Sequence, residues 1–365
     1  MKCIRCMKDS NYKDRSDRTC PNCKHKFAFE PRGGDPITDM LFLNAINGVS
    51  GDGHIKFGVE NLYYEVNRRW KRQRAPLGCI AFFLFAAVAI FGYAVIAKPR
   101  HVNNYYIFGA AALLVTGIAA MSRISRPLVR MDLATFNRLW DRWREVHGIP
   151  KGLIERAPLP EFPKDLEADI GDYSFDRAVI CDRARTVDLL VANNFHFENN
   201  CAVLSVDGYP KGPFKVIMAM LRRNPKLQVF VLHDATIPGC RLAHQLIKDP
   251  QWFGGAGLRV IDLGLRPRHA DPFHGLLLEG PSIQPNEEEG ISFGEAMWLS
   301  KYRLELAAAR PEQILKRLFA GLMAHAADDP RTGDTSGAVT TCGAFDSGGY
   351  GDGDGGGEGG GDAFG

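Results

Sequence analysis

Charged side chains are missing from two long stretches of this chain of 365 residues, and lysine and arginine are missing from its last part. Residues 77–97 and 105–121 contain no Asp, Glu, Lys or Arg, and no Lys or Arg follows Arg331. The chain also lacks the Gly-rich Walker signature, which argues against a P-loop nucleotidase. Its first six residues hold no apolar run typical of a secretory signal, so we expect neither cleavage nor export.

The two uncharged stretches are long enough to cross a bilayer as helices, because such a span needs about 20 residues. Residues 77–97 hold eleven Leu, Ile, Val or Phe residues and residues 105–121 hold six, so the first span inserts more readily. The alternative is a buried helical hairpin, but neither stretch has the polar face that a core helix normally shows. We therefore predict a transmembrane hairpin over residues 77–121.

Basic residues, here called the basic collar, flank the outer ends of this hairpin. Five Lys or Arg residues lie between positions 68 and 74 and three Arg residues between 123 and 130, whereas the connecting loop holds only Lys98 and Arg100. Positive charge near membrane spans favours the cytoplasmic side. We predict an integral protein of a bacterial cytoplasmic membrane, with both termini in the cytoplasm and the collar on anionic lipids.

Four cysteines within residues 1–30 have the spacing of a zinc site. Cys3-x-x-Cys6 is followed by Cys20-x-x-Cys23. Two disulfides are the alternative, but the predicted cytoplasmic location keeps thiols reduced. A segment this short cannot bury enough apolar area to fold alone, whereas structural zinc supplies on the order of 10–16 kcal/mol. We predict a structural zinc ribbon, which resembles those at the N-termini of many bacterial membrane proteins. This resemblance does not indicate which partner the ribbon binds.

Helical patterns lie on both sides of the hairpin. Residues 36–75 predict a small helical module, either a reduced winged-helix module or a plain helical pair. Residues 131–147 predict a juxtamembrane helix, in which Trp140 and Trp143 lie among arginines, a mixture typical of a membrane interface. A Pro-rich linker over residues 148–172 follows.

Strands and helices alternate from residue 173 to about 330. Four short apolar runs predict strands, at residues 178–181, 202–206, 228–232 and 258–263. Runs that are apolar on both faces are typical of parallel strands covered by helices on each side. The sequence therefore predicts an α/β domain over residues 173–330, with helices from Ser292 to about Ala309 and from Pro311 to Ala326 at its end.

An aspartate lies at or near the end of each predicted strand, at Asp182, Asp207, Asp234 and Asp262. Ligands of open α/β sheets bind outside the carboxyl ends of the strands, so Asp182, Asp207 and Asp234 are candidates to hold a magnesium ion. Capping of the next helix, or solvation in a loop, is the alternative at each position.

The same residues resemble the Toprim domain, especially the version in the topoisomerase VI A subunit and the related meiotic DNA-cleaving proteins. In that family a first strand ends in a catalytic glutamate, a second leads to Gly-Tyr-Pro, and a third ends in Asp-x-Asp followed by Pro-Gly. The matching residues here are Asp182, Asp207-Gly208-Tyr209-Pro210 and Asp234-Ala235-Thr236-Ile237-Pro238-Gly239. Asp182 replaces the glutamate, and Thr236 replaces the second aspartate, which helps bind magnesium for phosphodiester cleavage. The resemblance implies a degenerate Toprim-like fold, with a generic doubly wound domain as the alternative.

The nucleophile of that family is a tyrosine in an upstream winged-helix module, which makes Tyr64 a candidate beside Asp182 and Asp234. The apolar side chains of its predicted helix share one face and are Val59, Leu62, Tyr63, Val66 and Trp70. This pattern places Tyr64 outside the core. A transesterase that lacks one metal ligand should still be severely impaired.

The last residues, 331–365, are rich in Gly and Asp and predict a disordered acidic tail.

Two function classes follow from the whole sequence. The first is a membrane-anchored binding or scaffold protein, whose zinc ribbon and α/β domain hold a cytoplasmic protein partner or a nucleotide-like ligand at the bilayer. The second is a nuclease-like, metal-dependent phosphoryl-transfer enzyme that acts on nucleic acid or nucleotide through Asp182 and Asp234. The missing second acid favours the first class.

Overall fold

The structure is a computed structural model that describes residues 1–73, 127–155, 175–326 and 339–341, together with four single positions between 85 and 111. Within 175–326, positions 213, 225, 285, 287 and 288 are not described. The predicted hairpin therefore lies outside the described residues apart from those four positions, as do most of the predicted linker and tail. Within the described ranges, no helix is both long and apolar enough to cross a bilayer.

Two similar hairpin turns form the N-terminal ribbon. A single antiparallel bridge closes each turn, between Lys2 and Asp9 and between Thr19 and Lys26. Each turn carries one Cys-x-x-Cys pair, and the two turns bring the four sulfur atoms to one place.

Among the described residues, three α-helices follow the ribbon before the first strand: α1 (Asp39–Ser50), α2 (Val59–Gln73) and α3 (Leu133–His147). Side chains set two of the helix starts, because Thr38 Oγ1 accepts the Leu41 N–H and Asp132 accepts the Thr135 N–H. Helices α1 and α2 pack against each other as a helical pair.

Two residues of the basic collar are engaged within the protein through the buried Glu65, which is 1% exposed. Arg68 and Arg69 both donate to this carboxylate, and Arg310 Nη2 reaches it at 2.8 Å from the far end of the chain. Burial opposes ionisation of Glu65, but the three guanidinium groups outweigh it and lower its pKa to about 2. This cluster fixes α2 to the C-terminal part of the chain.

The aromatic side chains of α3 are buried in the protein. Trp140 is 6% exposed and Trp143 is 3% exposed. The ring centroid of Trp143 lies 4.7 Å from that of Phe42 and 6.1 Å from that of Phe29. The prediction that these tryptophans lie along a membrane interface is wrong, because packing against neighbouring aromatic rings removes their large apolar area from water.

The α/β domain contains seven short strands among its described residues. They are β1 (Arg177–Cys181), β2 (Cys201–Ser205), β3 (Gln228–Leu232), β4 (Val260–Asp262), β5 (Leu278–Glu279), β6 (Tyr302–Arg303) and β7 (Val339–Thr341). Five of them form a parallel sheet in the order β2-β1-β3-β4-β7, and β5 and β6 form a separate antiparallel pair. The four predicted strands are confirmed, whereas β7 comes from the segment predicted to be disordered. Counted along the chain, the sheet has the order 2-1-3-4-5, one of the common orders of doubly wound folds.

Helices cover both faces of this sheet. On one face lie α4 (Ala184–Ala192), α5 (Phe195–Glu198), α8 (Phe293–Lys301) and α9 (Pro311–Ala326), and on the other α6 (Phe214–Arg223) and α7 (Ile237–Lys248). The core of the first face, with Val179 and Phe230, continues into the N-terminal helices through Phe42 and Leu62. The segments before and after residues 74–126 therefore share one hydrophobic core.

The segment after α8 departs from the prediction. Helix α8 ends at Lys301 and the chain continues as β6, so the predicted helix to Ala309 is wrong. The backbone of Leu304 instead pairs with Ala235, and the Leu306 N–H donates to Asp234, which removes both from a helical ladder. Helix α9 has the predicted bounds.

Candidate functional site

The strand order brings two of the predicted acids side by side. Strands β1 and β3 are neighbours, and their register pairs Cys181 with Leu232. Asp182 directly follows β1, and Asp234 follows β3 after His233. Since the strand order reverses between β1 and β3, a crevice opens outside their carboxyl ends.

Each of these two carboxylates has one oxygen held by the backbone. Asp182 Oδ2 accepts the N–H of Asp234 at 2.8 Å, and Asp234 Oδ1 accepts the N–H of Leu306 at 2.6 Å. The other two oxygens, Asp182 Oδ1 and Asp234 Oδ2, are buried and accept no hydrogen bond from any described residue. The pair therefore has two buried oxygens that accept no hydrogen bond.

Burial raises the pKa of both carboxyl groups above the usual range. The neighbouring Asp182 carboxylate adds to this effect at Asp234, whose pKa reaches about 7. Arg183 opposes the rise at both sites but does not cancel it. A carboxylate pair of this kind holds a proton or a cation near neutral pH.

This raised pKa predicts a pH-dependent stability. The folded chain binds the Asp234 proton more tightly than the unfolded chain, in which the pKa is close to its ordinary value of 3.8. The contribution of Asp234 is therefore most favourable below pH 4 and falls by about 1 kcal/mol per pH unit as the pH rises to 7. In the variant Asp234→Asn this part of the pH dependence should be absent. This expectation is checked by measuring the free energies of unfolding of the unaltered chain and of Asp234→Asn at several pH values between 4 and 7. Parallel plots of these free energies against pH would contradict it.

A guanidinium lies beside the pair. Arg183 Nη2 is 2.7 Å from Asp234 Oδ2, an ion pair without hydrogen-bond alignment. Arg183 Nη1 donates to Glu305 Oε1 at 3.2 Å, and Tyr64 Oη donates to Glu305 Oε2 at 3.0 Å. Glu305 is thus a third acid of the site, which sequence reasoning missed because its segment has the composition of a helix.

Tyr64 lies inside the core at 1% exposure, so the prediction that places it outside the core is wrong. Helix α2 is covered on two sides, by α1 and by the turn at Leu306–Ala308, whereas the apolar pattern indicates only one buried face. Burial, followed by the charge of Glu305, raises the Tyr64 pKa far above its usual range. A phenol in this position is a hydrogen-bond donor to Glu305 and is poorly suited to act as a nucleophile.

The remaining residues of the resemblance have other surroundings. Asp207 is exposed, and Asp182, Asp207 and Asp234 do not come together as a group that could hold a metal ion. Thr236 Oγ1 accepts the N–H of Gly239 at 3.2 Å and caps α7. The residue that replaces the second family aspartate therefore starts a helix.

Asp262 belongs to a separate buried network. It is 2% exposed, lies 2.9 Å from His233 Nε2 and accepts Arg266 Nε at 2.8 Å. Burial opposes its ionisation, but His233 and Arg266 lower its pKa well below the usual range. Its acceptors are saturated by these partners and by the Gly264 N–H, which makes it a structural residue.

A groove of about 1430 Å³ opens beside Asp182 and Arg183. The face of α7 forms one wall, and residues 279–283 contribute to the rest. Its basic side chains are Arg183, Arg241, His244, Lys248 and Arg303, and its acidic ones are Asp182, Asp249, Glu279 and Glu289. Trp252 and several aliphatic side chains also line the groove, which therefore offers both charged and apolar contacts to a ligand.

The four cysteines form a group that can bind a metal ion. Their sulfur atoms all lie within 4.8 Å of one another, and the Cys3–Cys23 and Cys6–Cys20 sulfurs are 3.7 Å apart. Zinc–sulfur bonds of about 2.3 Å at tetrahedral angles space sulfurs by about 3.8 Å, so the residues fit zinc. Within the described ranges, no other set of three His, Cys, Asp or Glu side chains comes together this closely.

The local backbone favours thiolates at this cluster. The N–H of Lys8 lowers the pKa of Cys6 to about 6, and the N–H of Cys23 lowers that of Cys20. The His25 N–H acts likewise on Cys23, but burial and the other sulfurs raise the pKa of Cys23 to about 11. A bound cation would relieve this repulsion.

The ribbon is attached to the helices through a buried aspartate. Asp39 is fully buried, and its two oxygens accept the N–H groups of Ala28 and Phe29 at 2.9 and 2.8 Å. His147 Nε2 lies 2.8 Å from Asp39 Oδ2, and the His147 ring stacks on His25. One carboxylate thus joins the chain after the ribbon, α1 and α3.

Comparison of the chain with family models, with curated proteins and with solved structures finds no match.

Proposed function

We propose that this chain is a membrane-anchored binding or scaffold protein whose cytoplasmic face carries a structural zinc ribbon and a non-catalytic, Toprim-like α/β domain. Its hairpin, residues 77–121, is the anchor, and its groove holds a cytoplasmic protein partner or a nucleotide-like ligand close to the bilayer. The observation that carries the proposal is that groups of the protein itself contact the Asp182–Asp234 pair. These groups are two backbone N–H groups and the guanidinium of Arg183.

These contacts favour binding over cleavage. Asp234 is 3% exposed, and its carboxylate is in contact with the Leu306 N–H and with Arg183. Metal-dependent phosphoryl transfer needs open acidic positions that neutralise the developing charge of the phosphate. Here the Arg183 guanidinium lies 2.7 Å from Asp234 Oδ2, and Thr236 serves as a helix cap, so the residues in this arrangement do not fit a magnesium site.

The anchor is supported by the ends of the segment that contains it. Tyr63 Oη donates to the Met131 carbonyl at 2.8 Å, and the Met131 N–H donates to Asn67 at 3.0 Å. Residues 74–126, which contain the predicted hairpin, lie between Asn67 and Met131 in the sequence. The chain on the two sides of this segment is therefore in direct contact, which a two-helix hairpin allows.

An assay with the purified full chain in detergent separates the two function classes. We expect saturable binding but no turnover when the chain is incubated with magnesium or manganese and labelled DNA, RNA or nucleotides. The matched variant Asp234→Ala should give the same background amount of cleavage product as the unaltered chain. Cleavage that Asp234→Ala abolishes would show that the chain is a phosphoryl-transfer enzyme and would overturn the proposal.

A further inference from the structure

His233 is a fully buried histidine whose two ring nitrogens both face oxygen atoms. Its Nδ1 lies 2.7 Å from the backbone oxygen of Asp234, and its Nε2 lies 2.9 Å from Asp262 Oδ1. A backbone carbonyl can only accept a hydrogen bond, so Nδ1 carries a proton. Arg266 Nε donates to Asp262 and favours the ionised carboxylate, so Nε2 carries a proton as well. Both nitrogens are donors only in the imidazolium form of histidine.

The positive charge of this imidazolium is compensated by groups that face it from several elements. Asp262 of β4 is its direct partner, and Asp182, which follows β1, also favours the charged form. Arg266 adds a second buried cation, which pairs with Asp262 and with Glu295 of α8 at 3.4 Å. Burial opposes the charge on His233, but the two aspartates and the Asp234 carbonyl raise its pKa above the ordinary value of 6.5.

Two glycines fix the place of the ring. A Cβ atom on Gly264 would collide with the His233 ring, and one on Gly239 would lie 3.1 Å from its Nδ1. The ring is therefore closely packed by backbone and has no room to turn. If it lost a proton in this place, a nitrogen lone pair would face either the Asp234 carbonyl or the Asp262 carboxylate, and one buried hydrogen bond would be lost.

The Nδ1 hydrogen bond acts on a turn that forms part of the groove wall. The same Asp234 carbonyl accepts the Thr236 N–H at 2.9 Å, and Thr236 caps helix α7. Residues 236–239 line the groove of about 1430 Å³. The protonated ring thus supports the start of α7 through the backbone of Asp234.

We propose that His233 is a positioning residue whose protonated ring holds the turn at residues 234–239, and that loss of its proton loosens this wall of the groove. The inference rests on the proposed binding function, because it concerns the regulation of the same groove. A folded-state pKa above 6.5 means that the stabilisation is fully present below pH 6.5 and is lost as the pH rises through that folded-state pKa. The groove should therefore hold its ligand in weakly acidic solution and release it as the pH rises.

The protonation state is tested by nitrogen NMR of the zinc-loaded full chain in detergent, with isotope label only in the histidine rings. At about pH 7.5 ordinary histidines are mostly neutral. We expect one ring with two protonated nitrogens that is absent from the variant His233→Gln. His196→Gln is the matched control and should keep this signal, because His196 Nδ1 is buried and has no hydrogen-bond partner among the described residues.

Hydrogen exchange tests the effect on the turn. The Thr236 N–H donates to the Asp234 carbonyl, and the Cys240 N–H donates to the Thr236 carbonyl at 2.9 Å. Above the His233 pKa, exchange at these two amides, corrected for the intrinsic rate, should become faster by up to about 10-fold per pH unit. In His233→Gln this pH dependence should be absent between pH 7 and 9.

Two results would overturn the inference. One is the absence of any doubly protonated histidine ring from the folded unaltered chain at about pH 7.5, which needs no variant and applies even if His233→Gln does not fold. The other is the same pH dependence of exchange in His233→Gln as in the unaltered chain. Neither measurement involves a ligand, whereas turnover in the cleavage assay would remove the proposed function and leave the protonation state of His233 unaffected.

Discussion

Removal of the metal from the four-cysteine site should unfold the ribbon and leave the α/β domain intact. The buried apolar cluster of the ribbon contains only Cys3, Cys20 and Phe27, so apolar burial contributes little to its stability. Structural zinc contributes on the order of 10 kcal/mol in segments of this size. After treatment with a chelator, hydrogen exchange should become fast in residues 1–26 and stay slow in β1–β3.

Single cysteine variants provide the control for this prediction. Cys20→Ser should lose the one zinc ion per chain, whereas Cys201→Ser, which alters a buried thiol of β2 outside the cluster, should retain it. Slow exchange in residues 1–26 of the metal-free chain would contradict a metal-dependent ribbon.

The variant Asp39→Asn should lower the free energy of unfolding by about 3–5 kcal/mol, because it removes a buried carboxylate from the groups that contact it. The asparagine amide cannot accept both the Ala28 and Phe29 N–H groups, and His147 loses its carboxylate partner. We expect a lower midpoint of urea unfolding for the full chain in detergent, with faster exchange at residues 27–30.

Asp35→Asn is the matched control for this variant. Asp35 accepts the Glu30 N–H at 2.8 Å, which an asparagine oxygen can still do, and it pairs with Arg142, whose side chain is 40% exposed. Exposed pairs of this kind contribute about 1 kcal/mol or less. A loss in Asp39→Asn of about 1 kcal/mol or less, no larger than that in Asp35→Asn, would contradict the role of Asp39 in joining the ribbon to the helices.

The regular elements of this fold are predictable from local patterns. Apolar runs predict β1–β4, and the residues around Ser292 and Pro311 predict the starts of α8 and α9. Cysteine spacing alone predicts the four-thiolate cluster, because both pairs are formed within short turns. These features depend on neighbours in the sequence.

The arrangement at the carboxyl edge depends on residues that are distant in the sequence. Asp182 and Asp234 are recognisable because each follows an apolar strand, but Glu305 lies in a segment with the composition of a helix. The segment leaves the helix because Leu304 pairs with Ala235. No local pattern contains that contact, and none indicates that Arg183 turns to the acids.

The shared core has a direct consequence for membrane topology. Phe42 and Leu62 precede the predicted hairpin and Phe136 and Phe230 follow it, yet all four belong to one buried cluster. Two parts of a chain that pack together in water must lie on the same side of a membrane. The segment between them can therefore cross the bilayer only an even number of times, in agreement with a hairpin.

The central claim of membrane anchoring with both termini in the cytoplasm is tested most directly by labelling intact cells with a membrane-impermeant maleimide. We expect a cysteine placed in the connecting loop by Asn103→Cys to react from outside. Native Cys342 should react only after the cells are opened, with Cys342→Ser as the background. Labelling of Cys342 in intact cells, or release of the chain from membranes by alkaline carbonate, would contradict the account.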